Sequence, residues 1–321
     1  MVAIAPGPFA PGSISLGLSA VGTDARAIVD RLIEDAVAAE LSGFDGLTLS
    51  EHHGGFPQYI PVPVTLCGLL LERLDRAWAC AGPTVLPLRN PLLLAEELAW
   101  TAALHPGRVG LGVAAGYQRR DFELVGADFE SRRSTLWTSL VRLQDALTGG
   151  QSADDPALAR LDGLGLPVVV GIGGPVGARR AAVLGAGILL TSLRSAAEIA
   201  PLVSAHRAAA GTGPAVLIRR VHVAAERSVA AERVPTGFSA SLADWTSQAD
   251  GESWLIAADT ALITGSPRAV AEGLVAAVRT SGCTALNLRV DAYAASPDLV
   301  SDQIEVLGKE VLPLVRSDLG W

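Results

Sequence analysis

One regularity restricts this chain more than any other. From residue 14 onward, short apolar runs alternate with longer stretches whose apolar residues recur at helical spacing. The apolar runs fall at 14–18, 46–49, 76–86, 109–113, 167–170, 187–190, 215–224 and 284–288. Between and after them, helical patterns occupy 24–41, 65–74, 92–104, 134–147, 177–184, 196–210, 267–281 and 297–315. Eight strands alternating with eight helices predict a single (β/α)8 TIM barrel covering residues 1–321. A two-domain division would need a linker, and the polar segment 148–165 is followed at once by more units of the same kind. Residues 226–264 are mixed in character and read as an insertion after strand 7.

Composition narrows the partners. Half of the residues are hydrophobic, enough for a large core. The net charge of −8 comes without any basic cluster, so neither nucleic acid nor an anionic membrane is an expected partner, and a small-molecule substrate is. No apolar run approaches the roughly 18 residues of a membrane span and no signal-peptide pattern opens the sequence, so a cytoplasmic location is expected. Cys67, Cys80 and Cys283 lie far apart in apolar segments with no histidine at ligand spacing, which predicts buried thiols and no metal site.

The second apolar run ends in chemistry. Leu47-Thr48-Leu49-Ser50 passes directly into Glu51-His52-His53-Gly54-Gly55, so a buried strand delivers three ionisable groups to a loop. A histidine in such a place commonly caps a helix or satisfies buried backbone. In an α/β barrel, however, catalytic side chains gather just beyond the C-terminal ends of the strands, and this loop stands there. His52 and His53 are therefore the candidate catalytic residues. An imidazole both accepts and donates a proton near neutrality, which suits acid/base work. For His53 the competing reading is a hydrogen bond that orients the loop, and Glu51 is expected to orient a histidine or cap a helix.

Several further segments stand in a set order: Val85-Leu-Pro-Leu-Arg-Asn-Pro91, Ala95-Glu-Glu-Leu98, Pro106-Gly-Arg-Val-Gly-Leu-Gly112, Gly116-Tyr117, Asp121-Phe122, Val125-Gly126 and 129–132, and later Gly265-Ser-Pro267 and Glu310-Val-Leu-Pro313. With Glu51-His52-His53 this set resembles the bacterial luciferase-like flavin-dependent monooxygenases, closely over residues 14–145 and loosely beyond. The resemblance implies a barrel that binds reduced FMN, supplied by a separate flavin reductase, and uses O2 to oxidise a small organic substrate; it also implies a homo-oligomer. His52 matches the histidine that serves in acid/base chemistry beside the flavin. F420-using members often carry Asp-His where this chain has Glu-His-His, which favours FMN.

The same resemblance assigns the cofactor contacts. Gly82 and Pro83 fall where the family has a bulge with a cis peptide bond under the flavin ring, and Asn90 where relatives often carry a histidine near the ring edge. Ala115 stands in place of an arginine that approaches the flavin phosphate, while Arg132, next to Arg133, is a candidate cation for it. Gly171, Gly173 and Gly174 form a glycine-rich turn into a helix, suited to holding the phosphate through backbone N–H groups. Ala115, Ile172-Gly173 in place of an acid-serine pair, and the content of 148–165 all depart from the family pattern. Two alternatives follow: F420-dependent hydride transfer on the same barrel, and a non-catalytic luciferase-like subunit or flavin-binding protein.

Overall fold

The computed structural model describes residues 6–55, 59–148, 154–161, 165–224, 262–290 and 297–321. Among the described residues nine parallel strands form one sheet: β1 (Ile14–Leu18), β2 (Gly46–Leu49), β3 (Trp78–Val85), β4 (Val109–Ala114), β5 (Val168–Gly171), β6 (Gly187–Leu190), β7 (Ala215–Val223), β8 (Leu262–Gly265) and β9 (Ala285–Val290). Pairing of β6 with β7, β7 with β9 and β9 with β1 closes eight of them into the expected TIM barrel. β8 is the addition. Among the described residues it pairs with the C-terminal half of β7 alone, Arg220 to Val223, beyond the stretch Ala215 to Leu217 that pairs with β6. Its first residues are the end of the expected insertion, of which residues 226–261 lie outside the described residues.

Around the barrel stand α1 (Ala25–Leu41), α2 (Pro63–Leu71), α3 (Pro91–Leu104), α4 (Arg119–Val125), α5 (Arg132–Leu147), α6 (Pro156–Leu161), α7 (Pro175–Val183), α8 (Ala196–Ala208), α9 (Pro267–Ser281), α10 (Pro297–Val306) and α11 (Leu312–Leu319). The main core lies between helices and barrel wall, where Leu16, Leu47, Leu111, Val170, Ile188, Leu217 and Leu288 face outward and are buried. A second core fills the inside of the barrel with Phe9, Trp78, Cys80, Val169, Leu189, Val216 and Ala285, and Phe9 meets Trp78 edge-on at 4.8 Å. The two faces of each strand are thus both buried, which is why the strands read as unbroken apolar runs.

Three sequence expectations change. The segment 148–165 is not all loop: α6 lies within it, started by Asp155, whose carboxylate accepts from the N–H groups of Ala157 and Leu158. The uninterrupted helix expected over 297–315 is broken by a π turn at Leu307–Val311. Pro313 is the cause, since it cannot donate to the preceding turn and its ring crowds the carbonyl there. A short helix, α4, also occupies a stretch to which no helix was assigned. Other expectations hold. The Gly82–Pro83 peptide is cis, and the β3–β4 register shifts between Ala81 and Thr84 around it.

Candidate active site

The loop after β2 is fixed by contacts from three other segments. The Glu51 carboxylate, buried, accepts from the Val85 N–H at 2.6 Å, from Arg89 Nε at 3.0 Å and from His53 Nε2 at 3.1 Å. Its own N–H donates to the Pro83 carbonyl. Glu51 therefore ties the histidine loop to the bulge of β3, and orients His53 as one of its expected roles required. That hydrogen bond raises the proton affinity of His53 above the ordinary histidine value, against the effect of burial.

His52 is treated differently. It is 5% exposed, with Tyr59 edge-on at 4.7 Å and Tyr117 edge-on at 5.1 Å. Its Nδ1 lies 2.7 Å from Asp121 Oδ2 and its Nε2 lies 2.9 Å from the Tyr117 hydroxyl. The other Asp121 oxygen accepts from the His53 N–H at 3.1 Å. A carboxylate only accepts, so the ring proton sits on Nδ1 and Nε2 is left to accept from the tyrosine O–H. A buried acid, an imidazole and a phenol form one chain.

Local geometry explains how Asp121 arrives there. Gly54 turns with φ +64°, and a Cβ on it would lie 2.5 Å from Leu124 Cδ1, so only glycine lets α4 approach this closely. Gly116 turns with φ +78° beside Val85 and Phe122, and sets Tyr117 at the start of the segment leading to α4. Asp121 sits in the first turn of α4 and is 2% exposed.

The remaining site residues divide into two sets. Gly82 and Pro83 lie at the bulge beside this loop, and Gly82 lines a cavity inside the barrel with Thr48, Gly112, Asn287 and Arg289. Gly171 ends β5; Gly173 and Gly174 follow, and nothing lies within 4 Å of where a Cβ would stand on either of the latter two. Gly174 caps α7 with no side-chain hydrogen bond and Pro175 occupies the first turn, so the N–H groups of Val176 and Gly177 have no carbonyl ahead of them. This open, uncapped helix start fits a phosphate-bearing cofactor. Ala115 is half-buried just past β4 and contributes no charge.

Two candidates are engaged elsewhere. Asn90 is exposed and caps α3, its side-chain oxygen accepting from the N–H groups of Leu92 and Leu93. Arg132 is buried, stacks over the Phe129 ring at 3.7 Å and donates to the Phe129 carbonyl, so it closes the loop before α5. Sequence reasoning missed Asp121, Tyr117 and Arg89 as parts of the site. Asp121 and Tyr117 did stand in the ordered motifs, but nothing local connects them to a histidine 65 and 69 residues earlier. Among the described residues no group of histidines, cysteines and acids is placed to hold a metal ion, and no helix is long and apolar enough to cross a membrane.

With this geometry in hand, comparison with known proteins decides the family. The chain matches the luciferase-like monooxygenases over residues 12–285. It belongs to that family. Among curated luciferase-like relatives, an F420-dependent glucose-6-phosphate dehydrogenase from Rhodococcus hoagii is 30% identical over 179 residues, 50% of this chain and 52% of that protein. The chain thus spans about half the length of the curated relatives it matches. A monooxygenase from Streptomyces bottropensis superposes with a TM-score of 0.81 at 18% identity, covering 94% of this chain and 99% of that one. The oxygenating constituent of 3,6-diketocamphane monooxygenase from Pseudomonas putida, a type II Baeyer-Villiger monooxygenase in complex with FMN, superposes at 0.76 with 19% identity, covering 95% and 99%. At these identities the two structures establish the luciferase-like barrel and nothing finer. The family's match runs over most of the barrel, from residue 12 to residue 285.

Proposed function

We propose that this luciferase-like oxidoreductase is a monooxygenase that uses reduced FMN and O2 to oxidise a small organic substrate at the barrel mouth. The observation that carries the reading is the hydrogen-bonded chain Asp121–His52–Tyr117. A reduced flavin, when bound, supplies the reducing equivalents with which O2 is activated. Gly173, Gly174 and the N–H groups at the start of α7 would hold its phosphate. The bulge at Gly82–Pro83 is the candidate support for its ring.

The protein's own part is proton handling. Asp121 fixes the tautomer and direction of His52; His52 accepts from the Tyr117 hydroxyl or returns a proton to it. Tyr117 is half-buried, so the chain leads from a buried carboxylate toward the mouth. Glu51 and Arg89 hold the loop against β3 and do not need to react. In this reading a separate reductase supplies reduced FMN, and the protein works as a homo-oligomer.

A second reading is F420-dependent hydride transfer, favoured by the F420-dependent dehydrogenases among the relatives. Glu51-His52-His53, where F420-using members often carry Asp-His, supports FMN instead. Both readings need the same proton chain. The test is single-turnover substrate oxidation in wild type and His52→Ala, with reduced cofactor bound. The variant is expected to fold and bind cofactor normally while its rate falls by about two to four orders of magnitude. Loss of folding with no separate kinetic effect would make His52 a core residue.

A further inference from the structure

The barrel mouth has a second polar wall, which the proton chain does not use. On β7 the residues facing the barrel interior run Val216, Ile218, Arg220, His222, the first two belonging to the interior core. Arg220 pairs in register with Arg289 on β9, so two guanidinium groups leave the same side of the ring. Arg220 and His222 are both buried.

Arg289 crosses β1 to reach β2. Its side chain lies over Gly17, where an added Cβ would stand 3.1 Å from its Cγ and 3.2 Å from its Nε. Beyond Gly17 it donates to Ser50 Oγ at 2.6 Å, and Ser50 is two residues before His52. The cavity beneath, inside the barrel, is lined by Arg289 together with Thr48, Gly82, Gly112 and Asn287. A glycine at 17 is thus what allows a cation to lie across the floor of the mouth.

The acids of the mouth do not neutralise it. Glu51 is held by Arg89, His53 and the Val85 N–H, and Asp121 by His52 and the His53 N–H. Among the described residues Arg289 has no carboxylate partner and its hydrogen bond goes to a neutral hydroxyl. On the same wall His222 Nδ1 is buried and meets no hydrogen-bond partner among the described residues. A half-buried guanidinium without a counter-charge and a buried imidazole nitrogen without a partner are both unfavourable unless something else completes them.

The geometry points to an oxyanion subsite on the β7–β9 wall: Arg289, with His222 on the same wall, receives a carboxylate or phosphate group carried by the substrate. The rest of the substrate then extends toward Tyr117 and His52. The planar fork of an arginine matches either group through two parallel N–H bonds. This inference rests on the proposed function for its placement of the reaction, and it adds that the substrate is anionic.

Calorimetric titration with inorganic phosphate and, separately, with propanoate tests it, first on the chain without cofactor and then with FMN bound. Saturable binding at millimolar concentration is expected for at least one of the two anions, and the stronger arm identifies the group. Arg289→Met should weaken it about tenfold or more. Gly17→Ala, which keeps the charge but crowds the guanidinium, should weaken it less, with thermal melts showing both variants folded. No saturable binding of either anion, or equal binding in both variants, overturns the inference. Mutual displacement of FMN and the anion also overturns it, because the wall would then belong to the cofactor. Failure of FMN to bind at all counts against the proposed function only, since anion binding is read without it.

Discussion

The β2–β4 side of the barrel mouth and the turn between β5 and α7 are built in opposite ways. On the first, the two buried acids are each met by named partners: Glu51 by Val85, Arg89 and His53, Asp121 by His52 and the His53 N–H. On the second, the chain presents bare backbone, with open space beside Gly173 and Gly174 and no side-chain cap on α7. The first arrangement is preorganised for moving a proton, because donors and acceptors already stand at hydrogen-bond distance. In the proposed reading the second holds the cofactor's phosphate, because the N–H groups at the start of α7 have no side-chain cap. One mouth can serve both purposes only if these regions stay distinct, and substitutions can break either one alone.

The largest effect is expected at Asp121. Asp121→Asn keeps the size of the side chain but no longer enforces the Nδ1–H tautomer of His52. Single-turnover oxidation should fall by about two to four orders of magnitude. Cofactor affinity, measured on the same sample, should not change. An unaltered rate would reduce the Asp121–His52 pair to a structural contact.

A buried acid with a poorer set of partners gives the next effect. Asp35 on α1 is 4% exposed and faces Arg31 as its cationic partner; burial raises its carboxyl to about 6, with Arg31 pulling the other way. The folded state therefore holds this proton more tightly than the unfolded chain does. Its contribution to stability is fully present below about pH 4 and is lost as the pH rises through about 6, a change of up to about 3 kcal/mol. Urea melts of wild type and Asp35→Asn across this range should show the variant gaining on wild type as the pH rises. A difference that does not vary with pH would mean that Asp35 is better served than its surroundings suggest.

A smaller effect is expected at the β5–α7 turn. Ala115 follows β4, which pairs with β5. Ala115→Arg would bring a charge toward a phosphate otherwise held by backbone, and should strengthen FMN binding about tenfold, as one added charge-assisted contact does. Unchanged affinity would place the phosphate away from this turn and remove the contrast between the two regions.

The sequence made the scaffold legible and left most of the site hidden. All eight barrel strands could be located because both of their faces are buried, so their apolar runs are continuous. The bulge that the family resemblance placed at Gly82-Pro83 is where the β3–β4 register shifts. The glycine turn after β5 was equally plain, since its property is carried by consecutive residues. The proton chain was not. Asp121 and Tyr117 reach His52 across more than sixty intervening residues, through a short helix with no strong periodicity. Asn90 and Arg132 mislead for the converse reason: their charge and polarity are visible in the sequence, but α3 and Phe129 take them up. β8 depends on pairing that no local pattern encodes, whereas the break before Pro313 follows from a residue the sequence displays, a proline that cannot donate to the turn before it.

The central claim is that this luciferase-like barrel works on reduced FMN. Anaerobic titration with reduced FMN and reduced F420, side by side and followed by tryptophan fluorescence, tests it most directly, because Trp78 lies within the barrel beneath the mouth. Saturable quenching by reduced FMN, weaker quenching by reduced F420, and oxidation of substrate only after O2 is admitted are the predicted results. Binding of reduced F420 alone, or of neither cofactor, would contradict the claim.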